Sequence, residues 1–176
     1  MITLSFTKFK DITPEIYEKI VSALPLHQIT CSCGHAGQLV RHAYYTRKLK
    51  QRKGTITLEI LRVKCKNCGR THAILCEQIV PYEQIPVEIQ QEIIQFQISS
   101  EEIQALMNDN CDISESDIRA AKRRFKEHWK ERLRSIDRLI SDKVEDLVQA
   151  AFSHFHRQFL QIRRGINLEN LAVHLP

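Results

Sequence analysis

The sequence predicts an α+β fold in which a small antiparallel β sheet comes first and helices follow. Segments rich in β-branched and aromatic residues, together with five of the six cysteines, lie before residue 82. From Pro86 onward the hydrophobic residues recur with a helical period. The 176 residues can bury the core of one ordinary domain or of two small ones. We therefore expect a β domain over 1–82, a helical pair over 83–133 and a C-terminal helical segment over 134–176.

The β domain is predicted to contain a long hairpin. The segments "QLVRHAYYTRKL" and "TITLEILRVKC" read as its two strands. The segment "KQRKG" separates them, and Gly54 suits a tight turn there. A third short strand is expected in "HAILCEQIV".

Two cysteine pairs lie at the open end of this hairpin. One residue separates Cys31 from Cys33, and two residues separate Cys65 from Cys68. A glycine follows each pair. Two such turns can supply the four tetrahedral thiolate ligands of a zinc ribbon, and a site closed by four protein ligands is structural. Because the first pair is one residue short of the usual spacing, His35 or His72 is an alternative ligand.

Cysteines in such a sequence can have two other roles. Buried thiols can act as apolar core residues, and we assign that role to Cys76 and Cys111. A redox pair gains reactivity at a helix N-terminus, whereas Cys68 leads into another predicted strand. Structural Zn²⁺ on Cys31, Cys33, Cys65 and Cys68 is therefore the prediction.

The helical region has the layout of a helix-turn-helix unit. Ile89, Ile93 and Phe96 predict a first helix, and Ser99 with Glu102 forms a capping box for a short second one. Ser114 with Asp117 forms another box that opens a longer helix. Apolar residues from 136 to 159 predict a long C-terminal helix, with Gly165 as a plausible stop.

The longer helix presents a basic side that suits the major groove of DNA. Ile118, Ala121, Phe125 and Trp129 share a packing side, which leaves the opposite side free. The residues expected to read bases are Ser116, Arg119, Ala120 and Arg123. Those expected nearer the DNA backbone are Lys122, Arg124, Lys126 and Lys130. The alternative is an ordinary solvated face with ion pairs inside the helix.

The hairpin is also basic. No acidic residue occurs between Glu18 and Glu59. Phosphate contacts are predicted from Arg47, Lys48, Lys50, Arg52 and Lys53. A solvated, lysine-rich turn is the alternative interpretation.

With these segments in place, the chain resembles the N-terminal region of bacterial insertion-sequence transposases, in which a zinc-binding ribbon precedes a helix-turn-helix. The likeness is carried by "CSCGHAGQLVRHAYYTRKL", "LRVKCKNCGRTHAILCEQIVPY" and "ISESDIRAAKRRF". The chain is also similar to stand-alone uncharacterised proteins seen near mobile elements, which share the "FLQIRRGINL" type of ending. The resemblance implies a zinc site on the four cysteines and a recognition helix from Ser114 to Trp129.

These features together predict a non-catalytic, zinc-stabilised protein that binds double-stranded DNA and is associated with a transposon. A transposase also needs a larger catalytic domain, for which the 176 residues leave no room, so a separate catalytic subunit is a candidate partner. No apolar run of membrane length and no signal peptide is seen, so we expect a cytoplasmic protein without a membrane partner.

Two rival functions remain open. The first is a protein-interaction module that docks a partner through the apolar seam from Ile136 to Phe155, which is also the candidate for homodimerisation. The second is an enzyme using thiol-redox or zinc-hydrolytic chemistry. Loss of activity without loss of the fold, on exchange of Cys31 or Cys65, would favour the enzyme.

Overall fold

The structure is a computed structural model that describes residues 2–5, 12–95, 105, 108, 112–124 and 165–167. The chain forms two compact units. The first comprises residues 1–48, 57–77 and 163–176, and the second comprises residues 49–56 and 78–162. Within the described ranges, every helix is too short or too polar to span a membrane.

A mixed β sheet is the centre of the first unit. Its strands are β1 (Ile2–Ser5), β2 (Leu39–Gln51), β3 (Gly54–Cys65), β4 (Thr71–Cys76) and the three-residue β5 (Gly165–Asn167). Their spatial order is β2-β3-β4-β1-β5, so β2 is an edge strand. The hairpin and the third strand therefore form where the sequence predicts them.

The prediction of a wholly antiparallel sheet is wrong. β3 and β4 are antiparallel, but β1 runs parallel to β4, with Ile2 opposite Ile74, and β5 runs parallel to β1. The backbone N–H of Glu77 extends this pairing by donating to the carbonyl of Leu4 at 2.9 Å. Parallel partners come from distant parts of the chain, so no local turn signals them.

A helix that the strand-rich reading of residues 1–82 did not predict packs on the sheet. This helix, α1, spans Pro14–Ser22. Its start follows the usual rules, because the Thr13 hydroxyl accepts a hydrogen bond from Ile16 N at 3.2 Å and Pro14 occupies the first turn. Ile20 and Val21 are buried, so the apolar side of α1 contributes to the core.

Tyr17 of α1 connects two strands through its hydroxyl group. The hydroxyl donates to the carbonyl of Ile74 at 2.8 Å and accepts from the backbone N–H of Leu61 at 3.0 Å. The β3–β4 pairs begin at Arg62 opposite Ala73, so this hydroxyl satisfies backbone groups just beyond the paired segment. Burial raises the pKa of Tyr17 far above its ordinary range, and the hydroxyl keeps the proton that it donates.

The second unit contains two described helices, α2 (Val87–Gln95) and α3 (Glu115–Arg124). They pack through one apolar cluster, formed by Ile85, Ile89, Ile93, Ile113, Ile118 and Ala121. The predicted capping box at the start of α3 is confirmed. Ser114 N donates to the Asp117 carboxylate at 2.8 Å, and Asp117 N donates to the Ser114 hydroxyl at 3.3 Å.

Several helical predictions lie outside the described residues. They are Phe96, the capping box of Ser99 and Glu102, Cys111, the continuation of α3 beyond Arg124, and the helix from 136 to 159. The structure thus shows two packed helices in the region of the predicted helix-turn-helix. At Gly165, where the sequence suggests the end of a helix, the structure has the start of β5.

Candidate metal centre and basic surfaces

The four predicted cysteines come together in the first unit. All four Sγ atoms lie within 4.8 Å of one another. The Sγ atoms of Cys31 and Cys68 are 3.7 Å apart, and those of Cys33 and Cys65 are 3.8 Å apart. Cys31 and Cys65 are fully buried, whereas Cys33 and Cys68 are half-buried. Each cysteine pair thus contributes one buried and one partly accessible sulfur.

Each pair lies in a tight turn that its following glycine closes. Gly34 N donates to the carbonyl of Cys31, and Gly69 N donates to the carbonyl of Cys65, both at 2.9 Å. The two glycines have φ values of +93° and +71°, a region that side chains other than glycine resist. The Cys31 turn is therefore one residue shorter than the Cys65 turn, but the same bond closes both, from the glycine N–H to the carbonyl of the first cysteine.

Hydrogen bonds on either side hold these turns in place. Cys31 N donates to the carbonyl of His35 at 3.0 Å, and Cys65 N donates to that of Arg70 at 2.9 Å. Lys66 N donates to the carbonyl of Gln38 at 2.8 Å and joins the second turn to the residue before β2. These backbone bonds position the two turns that carry the four sulfurs.

The sulfur arrangement fits one tetrahedral metal ion. Four sulfurs at about 2.3 Å from a central zinc ion lie about 3.8 Å from one another. Two of the six sulfur–sulfur separations, 3.7 and 3.8 Å, match that edge, and none of the six exceeds 4.8 Å. They are well beyond the length of about 2.05 Å expected for a disulfide, and all four cysteines are free. The cluster could therefore hold a metal ion.

His35 and His72, the two alternative ligands, each contact one of the four cysteine sulfurs. His72 is buried, and its Nε2 atom lies 3.3 Å from Cys31 Sγ. His35 is exposed, with Nδ1 at 3.6 Å from Cys33 Sγ and at 3.0 Å from the Asn67 amide nitrogen. Burial, followed by nearby positive charge that includes Arg70, lowers the pKa of His72. A neutral His72 can donate one N–H to a thiolate, which is the usual role of a group just outside the ligand set.

The thiols differ in how readily they ionise. The pKa of Cys33 is lowered to about 5, first by its hydrogen bond with the His35 backbone and further by the His35 side chain and neighbouring sulfurs. The pKa of Cys68 is raised to about 11. There, a hydrogen bond from the Arg70 backbone favours the thiolate but is outweighed by desolvation and by the other three cysteines. Neighbouring thiolates repel one another, and a cation bound between them would offset this repulsion and stabilise their negative charge.

The basic residues of the hairpin fall into two groups. Lys48 and Lys53 are exposed. Lys50 forms an ion pair with Asp117 at 2.8 Å, and Arg52 forms one with Glu92. Lys50 and Arg52 therefore have internal partners that a phosphate group would have to displace.

Arg47 has a different environment, because it is half-buried. Burial lowers the pKa of Arg47, while Tyr45 opposes that shift through its charge and a hydrogen bond.

Helix α3 keeps its predicted reading side open. Ser116, Arg119 and Arg123 are exposed, whereas Ala120 and Lys122 are partly covered. Arg119 has a long, exposed ion pair with Glu115 at 3.4 Å, of a kind that contributes little stability.

Among the predicted phosphate contacts of α3, Arg124 already has a partner within the protein. Arg124 is held in an ion pair with Glu83, and burial lowers the pKa of Arg124. The other predicted contacts, Lys126 and Lys130, lie outside the described residues.

Sequence reasoning missed two features of residues 19–76. Arg41 Nη2 donates to the carbonyls of Val21 and Ser22 and so stabilises the C-terminus of α1. In addition, the acid-poor stretch extends well past Glu59. Residues 19–76 contain eleven Lys and Arg residues and one acidic residue, whereas the whole chain carries a net charge of only +5. Counting acids beyond the first one would have found this segregation of charge.

Comparison with known proteins gives one match. A family model described as "Domain of unknown function (DUF6431)" matches residues 30–114, just under half of the chain. The matched stretch contains both cysteine pairs and the whole hairpin and ends at Ser114, before α3 begins. Searches of curated proteins and of solved structures found no match.

Proposed function

We propose that this protein is a non-catalytic, zinc-stabilised DNA-binding protein in which α3 contacts the major groove. One observation carries this proposal. Ser116, Arg119 and Arg123 are exposed, while Ile118 and Ala121 on the same helix are buried. At 100° per residue, the centre of the exposed stripe lies about 160° from that of the buried side. The helix is thus packed on one side and free to contact bases and phosphates with the other.

The residues beside this stripe suit a supporting role at the DNA backbone. Lys122 and Arg124 lie on either side of the stripe and are partly covered. Lys53 of the hairpin is exposed and adds positive charge in the same unit. Phosphate contacts of this kind supply affinity that depends on salt, and contacts with base edges supply sequence preference.

Zinc is the proposed ion at the four cysteines, and its role is structural. Four thiolates in tetrahedral spacing are typical of zinc or iron sites, and metal analysis of the purified protein distinguishes the two. A site with four protein ligands leaves no open position for a substrate. A metal ion bound by the four sulfurs, which lie in two turns, would hold the ends of β2 and β3 against the Cys31 turn.

Binding of duplex DNA by single-charge variants tests the role of α3. We expect Arg123→Ala to weaken binding of a labelled duplex by at least about fivefold, since one good base contact is worth about 1–3 kcal/mol. Lys19→Ala is the matched control, because Lys19 is also exposed but belongs to α1. It removes the same charge and should change the affinity less than about twofold.

Two results would overturn the proposed role of α3. Equal losses in Arg123→Ala and Lys19→Ala would mean that only net charge matters. An unchanged affinity in Arg123→Ala would mean that α3 does not contact DNA. Metal content and circular dichroism of each variant confirm that the fold is kept.

An association with a mobile element, in the cytoplasm and beside a separate catalytic subunit, is proposed on the resemblance to transposase N-terminal regions alone. Self-association is proposed for the apolar seam from Ile136 to Phe155, which lies outside the described residues. Sedimentation of the full chain with and without DNA tests whether it dimerises. A monomer in both conditions would exclude homodimerisation.

A further inference from the structure

One face of the sheet in the first unit is open to solvent. His42, Tyr44, Thr46 and Lys48 are alternate residues of β2, so they share a face, and all four are exposed. The Thr46 hydroxyl donates to the Glu59 carboxylate at 2.8 Å, which places Glu59 of β3 on the same face. We call this the open face; its members are His42, Tyr44, Thr46, Lys48, Thr57, Glu59, Arg62 and Lys64.

The alternation of exposed and buried residues in β3 shifts by one position after Glu59, and we infer that a β-bulge there keeps the exposed residues of β3 on this face. Thr57 and Glu59 are exposed at odd positions, but Arg62 and Lys64 are exposed at even ones. Ile60 and Leu61 between them are both fully buried. Two consecutive residues on one side of a strand are typical of a β-bulge, and at this point the Leu61 N–H donates to the Tyr17 hydroxyl at 3.0 Å.

The open face lies next to β4. Arg62 pairs with Ala73 and Lys64 with Thr71, so these four residues lie on one side of the sheet. Arg62 also donates to the Thr71 hydroxyl at 2.9 Å. Thr71 and Ala73 of β4 therefore border the open face.

The open face combines positive charge with an exposed aromatic ring. Lys48, Arg62 and Lys64 carry positive charge, and Glu59 is the one acidic side chain among the eight members. Tyr44 is 53% exposed, which is unusual for an aromatic residue in a strand. Its hydroxyl accepts a bond from Arg41 at 3.3 Å, which leaves the ring face available.

We propose that the open face binds single-stranded DNA, with Tyr44 stacking on a base and Lys48, Arg62 and Lys64 contacting phosphates. Bases of a single strand are accessible to an aromatic ring, whereas those of a duplex are stacked on one another. A flat basic surface with one aromatic platform therefore suits a single strand better than a duplex. The choice of DNA as the polymer rests on the function proposed above, but the surface does not include α3.

The test uses the full zinc-loaded chain and a labelled oligothymidylate of about 16 nucleotides, the upper end of common site sizes. We expect Tyr44→Ala to weaken binding at least about fivefold, the lower limit for loss of one stacked base. Tyr44→Phe keeps the ring and should stay within about twofold of the wild type. Tyr82→Ala is the control, because Tyr82 is 97% exposed but lies outside the open face, and it should leave the affinity unchanged.

Two charge variants test the phosphate contacts proposed for the open face. Glu59→Gln removes the one negative charge of the open face and should tighten binding, because it removes repulsion of the phosphates. Lys64→Ala should lower the slope of log affinity against log salt by about 0.7, the value for one contact with a single strand. An unchanged slope in Lys64→Ala, or weaker binding by Glu59→Gln, would contradict the proposed phosphate contacts.

The outcomes separate this proposal from the function of α3. Loss of oligothymidylate binding in Tyr44→Ala but not in Arg123→Ala, with the opposite result for duplex DNA, supports two separate surfaces. Equal effects of Tyr44→Ala and Tyr82→Ala, or no binding of the single strand, would refute the open-face proposal without affecting the duplex one. Tighter binding of a matched RNA strand would refute the choice of DNA.

Discussion

Replacement of Tyr17 by phenylalanine should destabilise the first unit while leaving its apolar packing intact. The hydroxyl makes two buried hydrogen bonds, of 2.8 Å to the Ile74 carbonyl and 3.0 Å from the Leu61 N–H. Without it, one buried acceptor and one buried donor lose their partners, at a cost of about 1–3 kcal/mol for each such group. Since the lost bonds share one site, we expect a total of about 2–3 kcal/mol.

Thermal unfolding followed by circular dichroism measures this loss. For a chain of this length, 2–3 kcal/mol corresponds to a fall in Tm of about 4–12 °C. Tyr44→Phe is the control, because that hydroxyl belongs to a residue that is 53% exposed, and its loss should cost less than about 0.5 kcal/mol. A Tm for Tyr17→Phe equal to that of Tyr44→Phe would refute the bridging role of the Tyr17 hydroxyl.

Three further predictions concern the metal centre and the start of α3. Cys33→Ser should abolish stoichiometric metal in elemental analysis, whereas Cys76→Ser, at a buried cysteine outside the cluster, should keep it; metal loss in both would contradict the assignment. His72→Phe should weaken metal affinity about 10- to 100-fold in competition with a chelator, and no change would exclude His72 as a supporting donor. Burial acts to raise the pKa of Asp117, but hydrogen bonds with Lys50 and Ser114, together with the charge of Lys50, lower it. Its stabilising contribution is therefore complete above the unfolded pKa of about 3.9 and is lost as pH falls through the folded value. Asp117→Asn should lie below the wild type in Tm at neutral pH and approach it in acid; a constant difference would contradict this.

Local patterns predicted the hairpin and the capping box of α3, and the structure brings the four cysteines together as expected. The turn at Gly54, the glycines after each cysteine pair and the Ser114–Asp117 box all depend on residues within a few positions of one another. Such features are visible in a sequence because the same few residues both specify and form them.

The remaining features depend on distant partners. Lys50 pairs with Asp117 67 residues away, and Arg52 pairs with Glu92 40 residues away. β1 and β4 lie about 70 residues apart in the sequence, and their parallel pairing makes the sheet mixed. Helix α1 had a local signal in Thr13 and Pro14, but the neighbouring β-rich segments dominated the interpretation.

The central claim is that this protein binds duplex DNA through several phosphate contacts. Fluorescence anisotropy of a labelled random-sequence duplex with the zinc-loaded protein, across a salt series, tests it most directly. The account predicts binding whose log affinity falls linearly with log salt, with a slope of about −0.9 for each phosphate contacted. Absence of binding at low salt would contradict the claim and direct attention to a protein partner.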